Sequence, residues 1–60
     1  MTLILSAEQL QVGDTVVHQE HRYQVSYIEN ERLGKALYLK GNDGEKALFV
    51  SDDDLISVEL

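Results

Sequence analysis

Hydrophobic and polar residues alternate with a period of two along most of this chain, and turn residues interrupt the alternation at even intervals. Such a pattern is typical of short strands that bury one face. The chain contains no repeat, linker or low-complexity segment. The pattern therefore predicts an all-β protein of five or six short strands. The predicted strands are 2–5, 15–19, 22–29, 35–40, 45–50 and 56–60.

The first connections between strands carry recognisable turn residues. Ser6 and Gln9 have the spacing of a capping box, which predicts a single helical turn after the first strand. Val12-Gly13-Asp14 predicts a turn, because glycine adopts backbone conformations that other residues resist. A tight connection is expected at 20–21, and a polar loop is expected at 30–34.

The later connections are also predicted from their residue types. Gly41-Asn42-Asp43-Gly44 is the clearest hairpin turn in the chain, because asparagine, aspartate and glycine tolerate positive φ. Asp52-Asp53-Asp54 is expected to cap a short turn, with 3₁₀ geometry as an alternative, since aspartate is a preferred capping residue. This assignment is favoured over a calcium loop, whose ligand spacing and central glycine are missing.

Alternation also predicts which side chains face the core. The residues expected on the core side of the third and fourth strands are Tyr23, Val25, Tyr27, Leu37 and Leu39. The residues expected on the opposite side are Gln24, Ser26, Ile28, Ala36 and Tyr38. The strand at 45–50 leaves two candidate core pairs, which are Leu48 with Val50 and Ala47 with Phe49.

Length and composition narrow the architecture to one small domain spanning residues 1–60. The chain has no cysteine, so neither a disulfide nor a Cys₄ zinc site can stabilise it. A domain of this size buries only about 60% of the surface of its unfolded chain. Curling the sheet encloses a core with few residues and hides most strand edges. We therefore expect a small five- to six-stranded SH3-like barrel of the Tudor or KOW type, with one short helical turn.

The charge distribution restricts the choice of partner. Eleven acidic and five basic residues give a net charge of −6. Nucleic-acid binding is disfavoured, because it depends on neutralisation of phosphates by lysine and arginine. The basic residues all lie in the middle of the chain, at Arg22, Arg32, Lys35, Lys40 and Lys46. This middle region can therefore meet a partner that the two acidic ends would repel.

Three segments carry a family pattern in the same order along the chain. They are Leu10–His21, which includes Val16-Val17-His18 and His21; Gly34–Leu39; and Lys46–Val50 followed by Leu55-Ile56. Together they resemble the RNA-polymerase-interacting domain of CarD-type regulators and of the transcription-repair coupling factor, a Tudor-like barrel. The chain departs from the family where His21 is followed by Arg22 rather than glycine, and where Ser51 stands in place of proline.

The resemblance implies docking on the β subunit of bacterial RNA polymerase through a sheet edge, as a modulator of transcription. Edge docking uses main-chain hydrogen bonds for adhesion and alternate side chains for selection. Because Tyr38 alternates with Leu37 and Leu39, it is the aromatic residue that we most expect to be exposed and the main anchor of the contact. The further candidate contact residues are Arg22, Lys35, Lys40 and Ile28. The alternatives are an SH3-like adaptor for another bacterial or phage partner and a weakly nucleic-acid-binding barrel.

No other residue set predicts chemistry. His18 and His21 beside Glu20 form a poor zinc site, because no third soft ligand accompanies them. An aromatic cage from Tyr23, Tyr27, Tyr38 and Phe49 is less favoured than packing of the first two. No serine lies in a glycine-rich nucleophile turn. We therefore expect a protein that is not an enzyme and that binds neither a metal nor a cofactor.

The chain ends bear on location and association. No stretch approaches the roughly 18 apolar residues of a membrane span, and Leu3-Ile4-Leu5 lacks the basic flank of a signal peptide. A cytoplasmic protein is therefore expected. The apolar terminal strands at 2–5 and 56–60 can pair within the chain or between two chains, which predicts a monomer or a weak homodimer.

Overall fold

The computed structural model describes all 60 residues and consists of one antiparallel sheet with a single 3₁₀ turn at Ala7–Gln9. The strands are β1 (Thr2–Ser6), β2 (Thr15–His18), β3 (His21–Asn30), β4 (Gly34–Gly41), β5 (Gly44–Ser51) and β6 (Leu55–Glu59). Their order in the sheet is β1-β6-β2-β3-β4-β5. The predicted all-β class, the strand number and the helical turn are confirmed. No helix is long and apolar enough to cross a membrane.

The short connection between β5 and β6 shows that the sheet is curled. These strands are four neighbours apart in the sheet order, which is about 19 Å across a flat sheet. Only Asp52–Asp54 connects them, and the chain from Ser51 to Leu55 reaches about 14 Å at most. The two sides of the sheet must therefore approach each other, which gives the domain its barrel-like form.

The core fills the concave side of this curled sheet. Its central cluster comes from β2, β3, β4, β6 and the segment after the 3₁₀ turn, and consists of Leu10, Val16, Val25, Leu37, Leu39 and Val58. Leu37 and Leu39 are fully buried, as predicted. Leu48 and Val50 pack against the cluster, while Ala47 and Phe49 are exposed. Curling therefore decides between the two candidate core pairs of β5.

A β-bulge in β3 overturns part of the predicted face assignment. Val25 lies opposite Leu39 and Tyr27 lies opposite Tyr38, so one extra residue, Ser26, is inserted between them. An inserted residue reverses the alternation beyond it. Tyr27 consequently lies on the outer face, and Ile28 packs against the core cluster. The predictions that Tyr27 faces inward and Ile28 outward are both wrong.

Ala36 faces outward but is not exposed. It is in register with Glu29 on β3 and with Phe49 on β5, and both of these side chains are on the outer face. An alanine between two larger neighbours is covered by them, and Ala36 is completely buried. Its predicted outward direction is therefore right, and its burial comes from its neighbours on that face.

Hydrogen bonds explain the two turns that lie between β1 and β2. The Gln9 Oε1 atom accepts a hydrogen bond from the Ser6 backbone N–H at 3.0 Å, as a capping box requires. Gly13 has a φ of +100°, and its N–H donates to the Val25 carbonyl at 2.8 Å. Glycine is needed here because other residues rarely adopt this φ.

The turn between β2 and β3 differs slightly from its prediction, whereas the short turn at Asp52–Asp54 forms as predicted. The turn between β2 and β3 consists of Gln19 and Glu20, one residue earlier than expected, and both have positive φ. Two positive φ values match the twist of the flanking strands, although asparagine and glycine adopt them more readily. At Asp52–Asp54 the chain forms a simple turn, in which Asp54 Oδ2 accepts a hydrogen bond from the Ser51 N–H at 2.9 Å.

Candidate protein-interaction edge

Two strands, β1 and β5, each pair with only one neighbour in the sheet. Each therefore has a free edge, meaning the side of the strand on which no other strand pairs. A free edge presents unpaired backbone N–H and C=O groups to solvent, which makes it a template for pairing with another chain. The geometry of the β5 edge is described first, because the exposed aromatic residues lie beside it.

The hydrogen bonds of Ser51, at the end of β5, show which backbone groups of this strand lie on its free edge. The Ser51 N–H donates to Asp54 Oδ2, and the Ser51 carbonyl accepts from the Asp54 N–H at 3.0 Å. Ser51 therefore points its backbone groups away from β4. In an antiparallel pair this direction repeats at every second residue. Glu45, Ala47 and Phe49 consequently also present their N–H and C=O groups at the free edge.

Three exposed aromatic side chains lie on the outer face of β3, β4 and β5. They are Tyr27, Tyr38 and Phe49, and we call them the outer aromatic patch. The Tyr27 and Tyr38 rings have a centroid separation of 5.7 Å and a tilt of 42°. Phe49 is 72% exposed, although it is in register with the buried Ala36. The patch thus reaches from the middle of the sheet to the β5 edge.

Tyr38 is the patch residue with a distinct electrostatic environment. The nearby Glu29 carboxylate raises the pKa of the Tyr38 phenol, and desolvation, a hydrogen bond to Glu29 and the charge of Glu31 act in the same direction. The Tyr38 hydroxyl donates to Glu29 Oε1 at 3.5 Å. The raised pKa extends to higher pH the range over which the phenol stays neutral and keeps its hydrogen-bond donor. Tyr38 lies on the outer face, as predicted, but at 37% it is less exposed than Tyr27 at 56% and Phe49 at 72%. The prediction favoured Tyr38 because Tyr27 was assigned to the core, whereas the bulge in β3 brings the Tyr27 ring to the outer face beside it.

The other candidate contact residues are not brought together around Tyr38. The Arg22 Nε atom lies 2.6 Å from Glu59 Oε2, which is on β6. The Lys35 Nζ atom donates to Asn30 Oδ1 at 2.7 Å. Ile28 packs against the core. Lys40 alone shares the exposed outer face of β4 with Tyr38, and it is in register with Glu45.

The four aromatic residues considered for a cage are divided between two faces. Tyr23 is half-buried against the core cluster, as its predicted packing requires, and the Lys46 Nζ atom lies 5.3 Å from the centroid of its ring. Tyr27, Tyr38 and Phe49 are on the outer face. Because the sheet separates Tyr23 from the other three, the four rings do not surround a common space.

The histidine pair lies at the end of the β2–β3 hairpin. His18 and His21 are in register with each other, and Glu20 lies in the turn between them. No group of three histidine, cysteine, aspartate or glutamate side chains is placed so that it could hold a metal ion. The fold therefore brings no third metal ligand to His18 and His21.

Sequence reasoning missed an apolar cleft on the inner side of the curled sheet. The cleft has a volume of about 330 Å³ and lies between β5 on one side and β2 with β6 on the other. The residues that line it include Val16, His18, Leu48, Val50, Leu55 and Ile56. No sequence pattern could reveal it, because β5 and β6 approach each other only when the sheet curls. The exposure of Phe49, by contrast, was one of the two alternatives that alternation left.

No protein-family model matches this chain, and a search of the curated proteins gave no significant match. The resemblance to the RNA-polymerase-interacting domain therefore stays a prediction. The chemistry of the exposed edge and of the patch beside it is the basis for assigning a function.

Proposed function

We propose that this protein is a non-catalytic protein-interaction module that binds its partner by strand addition at β5. The observation that carries the proposal is the combination of unpaired backbone groups at Glu45, Ala47 and Phe49 with the outer aromatic patch on the same side of the sheet. The backbone groups provide adhesion, and the side chains on alternate positions provide selection.

Phe49 links the two parts of this surface. Its backbone groups lie on the free edge, and its side chain is 72% exposed on the outer face. A strand added at β5 would place a side chain directly beside Phe49, at the distance at which cross-strand pairs interact. Burial of an exposed phenylalanine contributes about 2 kcal/mol. Tyr38, one strand further in, would extend the same contact.

The resemblance to the RNA-polymerase-interacting domain makes the β subunit of bacterial RNA polymerase the first partner to test. Occupation of a polymerase surface by this domain would modulate transcription by competition with other proteins that bind there. Because a fold alone does not determine function, an SH3-like adaptor for a different protein partner is the alternative.

The test is a binding measurement between the tagged protein and purified bacterial RNA polymerase at low salt. We expect saturable binding that Ala47→Pro abolishes, because proline removes a free-edge N–H and blocks strand addition. Ala47→Ser is the matched control, since it keeps the amide and should bind as the natural protein does. Phe49→Ala and Tyr38→Ala should each weaken binding by about tenfold.

Two results would contradict this assignment. Unchanged binding by the Ala47→Pro variant would show that β5 is not the docking strand. Absence of binding to the polymerase would remove this partner and leave the adaptor alternative. Circular dichroism melting of each variant establishes that a loss of binding does not come from unfolding.

A further inference from the structure

We infer that the β5 edge selects an extended segment whose alternate residues are apolar and which carries lysine or arginine at the end beside Asp52–Asp54. This inference rests on the proposed strand addition and specifies the chemistry of the partner strand. It comes from the placement of the apolar cleft and of the acidic turn, Asp52–Asp54, relative to the same edge.

The apolar cleft lies along the inner face of β5. Leu48 and Val50 are the β5 residues that line it, and both are half-buried. In a sheet, side chains at paired positions of neighbouring strands lie on the same face. Every second side chain of an added strand would therefore lie beside Leu48 and Val50, next to the cleft. Apolar side chains are favoured there, because Leu55 on the opposite wall is 73% exposed and would be covered.

The acidic turn gives this edge a polarity. Asp52, Asp53 and Asp54 are all exposed and follow directly after β5. Glu8 is held near them, because its N–H donates to the Asp52 carbonyl at 3.3 Å. The cation that pairs with this turn is Lys35, whose Nζ atom is 3.9 Å from Asp52 Oδ1 and also bonds Asn30. The negative charge at this end of β5 therefore exceeds the positive charge.

The opposite end of β5 has no such excess. Asp43 and Glu45 are accompanied there by Lys40, which is in register with Glu45, and by Lys46. A cation on the partner strand is therefore favoured at one end of the edge and not at the other. Charge complementarity thus selects a segment with its basic residues beside Asp52–Asp54, and it disfavours an acidic segment.

The experiment uses short synthetic peptides of alternating valine and threonine, labelled with a fluorophore. One set carries lysines at the amino end or at the carboxyl end, and a second set carries glutamates at the same positions. Fluorescence anisotropy with the full chain measures the affinity of each. We expect one of the two lysine peptides to bind about tenfold more tightly than its glutamate counterpart at low salt. This preference should shrink at high salt, because exposed charges are screened.

Matched variants locate the two parts of the selection. Asp52→Asn combined with Asp53→Asn should weaken the lysine peptide about fivefold, whereas Asp43→Asn, at the other end of β5, should have no effect. Asp54 is left unchanged because it caps the Ser51 N–H. Leu55→Ser should weaken every valine peptide about threefold, and Leu60→Ser, an equally exposed leucine outside the cleft, should not.

Equal binding of the lysine and glutamate peptides would overturn the inference, as would an undiminished preference in the Asp52/Asp53 double variant. Failure of all peptides to bind would overturn it as well. The Ala47→Pro variant separates this result from the proposed function. If that variant loses the peptides while charge has no influence, strand addition at β5 stands and the charge selection fails.

Discussion

The two free edges of the sheet, on β1 and on β5, differ in the charged residues that could oppose pairing with another strand. On β1 the Met1 carbonyl accepts the Leu60 N–H at 2.9 Å, so the alternate residues Thr2 and Ile4 present their backbone groups outward. The strand β1 contains no charged side chain, and Ile4 is 66% exposed. The Ser6 N–H is occupied by Gln9, which closes the edge after two residues.

The β5 edge is longer and has charged residues within it and directly after it. Glu45 and Lys46 lie within the strand, and three aspartates follow it. Charged residues at an edge discourage indiscriminate pairing of strands. A strand can therefore have free backbone groups for pairing and also carry charges that restrict which strands pair with it. β1 contains no charged residue that would oppose pairing with a second copy of the same chain, whereas the charges of β5 would favour some partner strands over others.

Proline substitutions in β5 should change the free energy of unfolding more than the other variants. They test whether backbone groups bonded to β4 alternate with free ones along this strand. Leu48→Pro removes a bond to β4 and should lower the free energy of unfolding by about 3 kcal/mol or more. Ala47→Pro, the neighbouring position on the free edge, should lower it by less than about 1 kcal/mol. Urea unfolding measures both. Equal losses would mean that the assignment of the free groups is wrong.

Gly34→Ala should damage the β5 side of the sheet selectively. A Cβ atom at this position would collide with the backbone carbonyl of Val50. Since a backbone atom cannot move aside easily, we expect a loss of about 2 kcal/mol in unfolding free energy. Hydrogen exchange should quicken first at the β4–β5 amides. Uniform quickening that includes β1 would contradict the local effect.

Removing the cap of β1 should have a smaller effect. Gln9→Ala frees the Ser6 N–H and should cost about 1 kcal/mol of stability. The same change leaves one more unpaired donor on the β1 edge. Thermal melting measures the loss, with Gln11→Ala as a control because Gln11 is exposed and it is its backbone N–H, not its side chain, that bonds Asp14. A loss of the same size in the control would refute the role of the cap.

Self-association distinguishes the edges directly. If the molecule associates at high concentration, Ile4→Lys should shift sedimentation towards the monomer, because it places a charge on the free edge of β1. Ala47→Lys should leave the sedimentation coefficient unchanged. Dissociation caused by the second variant alone would show that β5 is the self-pairing edge.

The smallest expected effect concerns pH. The pKa of Tyr38 is raised by Glu29, so the folded protein holds this proton more tightly than the unfolded chain. The resulting stability is present below the ordinary tyrosine pKa and is lost as the pH rises through the higher folded value. Glu29→Gln should lower the Tyr38 midpoint, which ultraviolet titration of the phenol records. An unchanged midpoint would contradict the role of Glu29. β1 and β6 carry no tyrosine, so the β1 edge should not respond.

The sequence predicted local features of this molecule well, because those features depend on neighbouring residues. The Ser6–Gln9 capping box, the Gly13 turn and the hairpin at Gly41–Gly44 were predicted from residue type and spacing. Leu37 and Leu39 were assigned to the core, because β4 alternates without interruption. Tyr38 was placed outward for the same reason.

Other features could not be predicted, because they depend on residues that are distant in the chain. The bulge at Ser26 reverses the faces of Tyr27 and Ile28, and it is visible only in the register with β4. The candidate contact residues Arg22 and Lys35 are not brought together with Tyr38. Arg22 instead pairs with Glu59, which is 37 positions away in the chain.

The strands, their turns and the excess of acidic residues could all be predicted from the amino-acid sequence alone. Tertiary structure decided which face of β5 entered the core, where the apolar cleft opened and which two edges stayed free. The physical reason is that alternation defines two faces for each strand but does not say how the sheet bends. Only the bending, imposed by the short link from β5 to β6, gives the two sides of the sheet different environments.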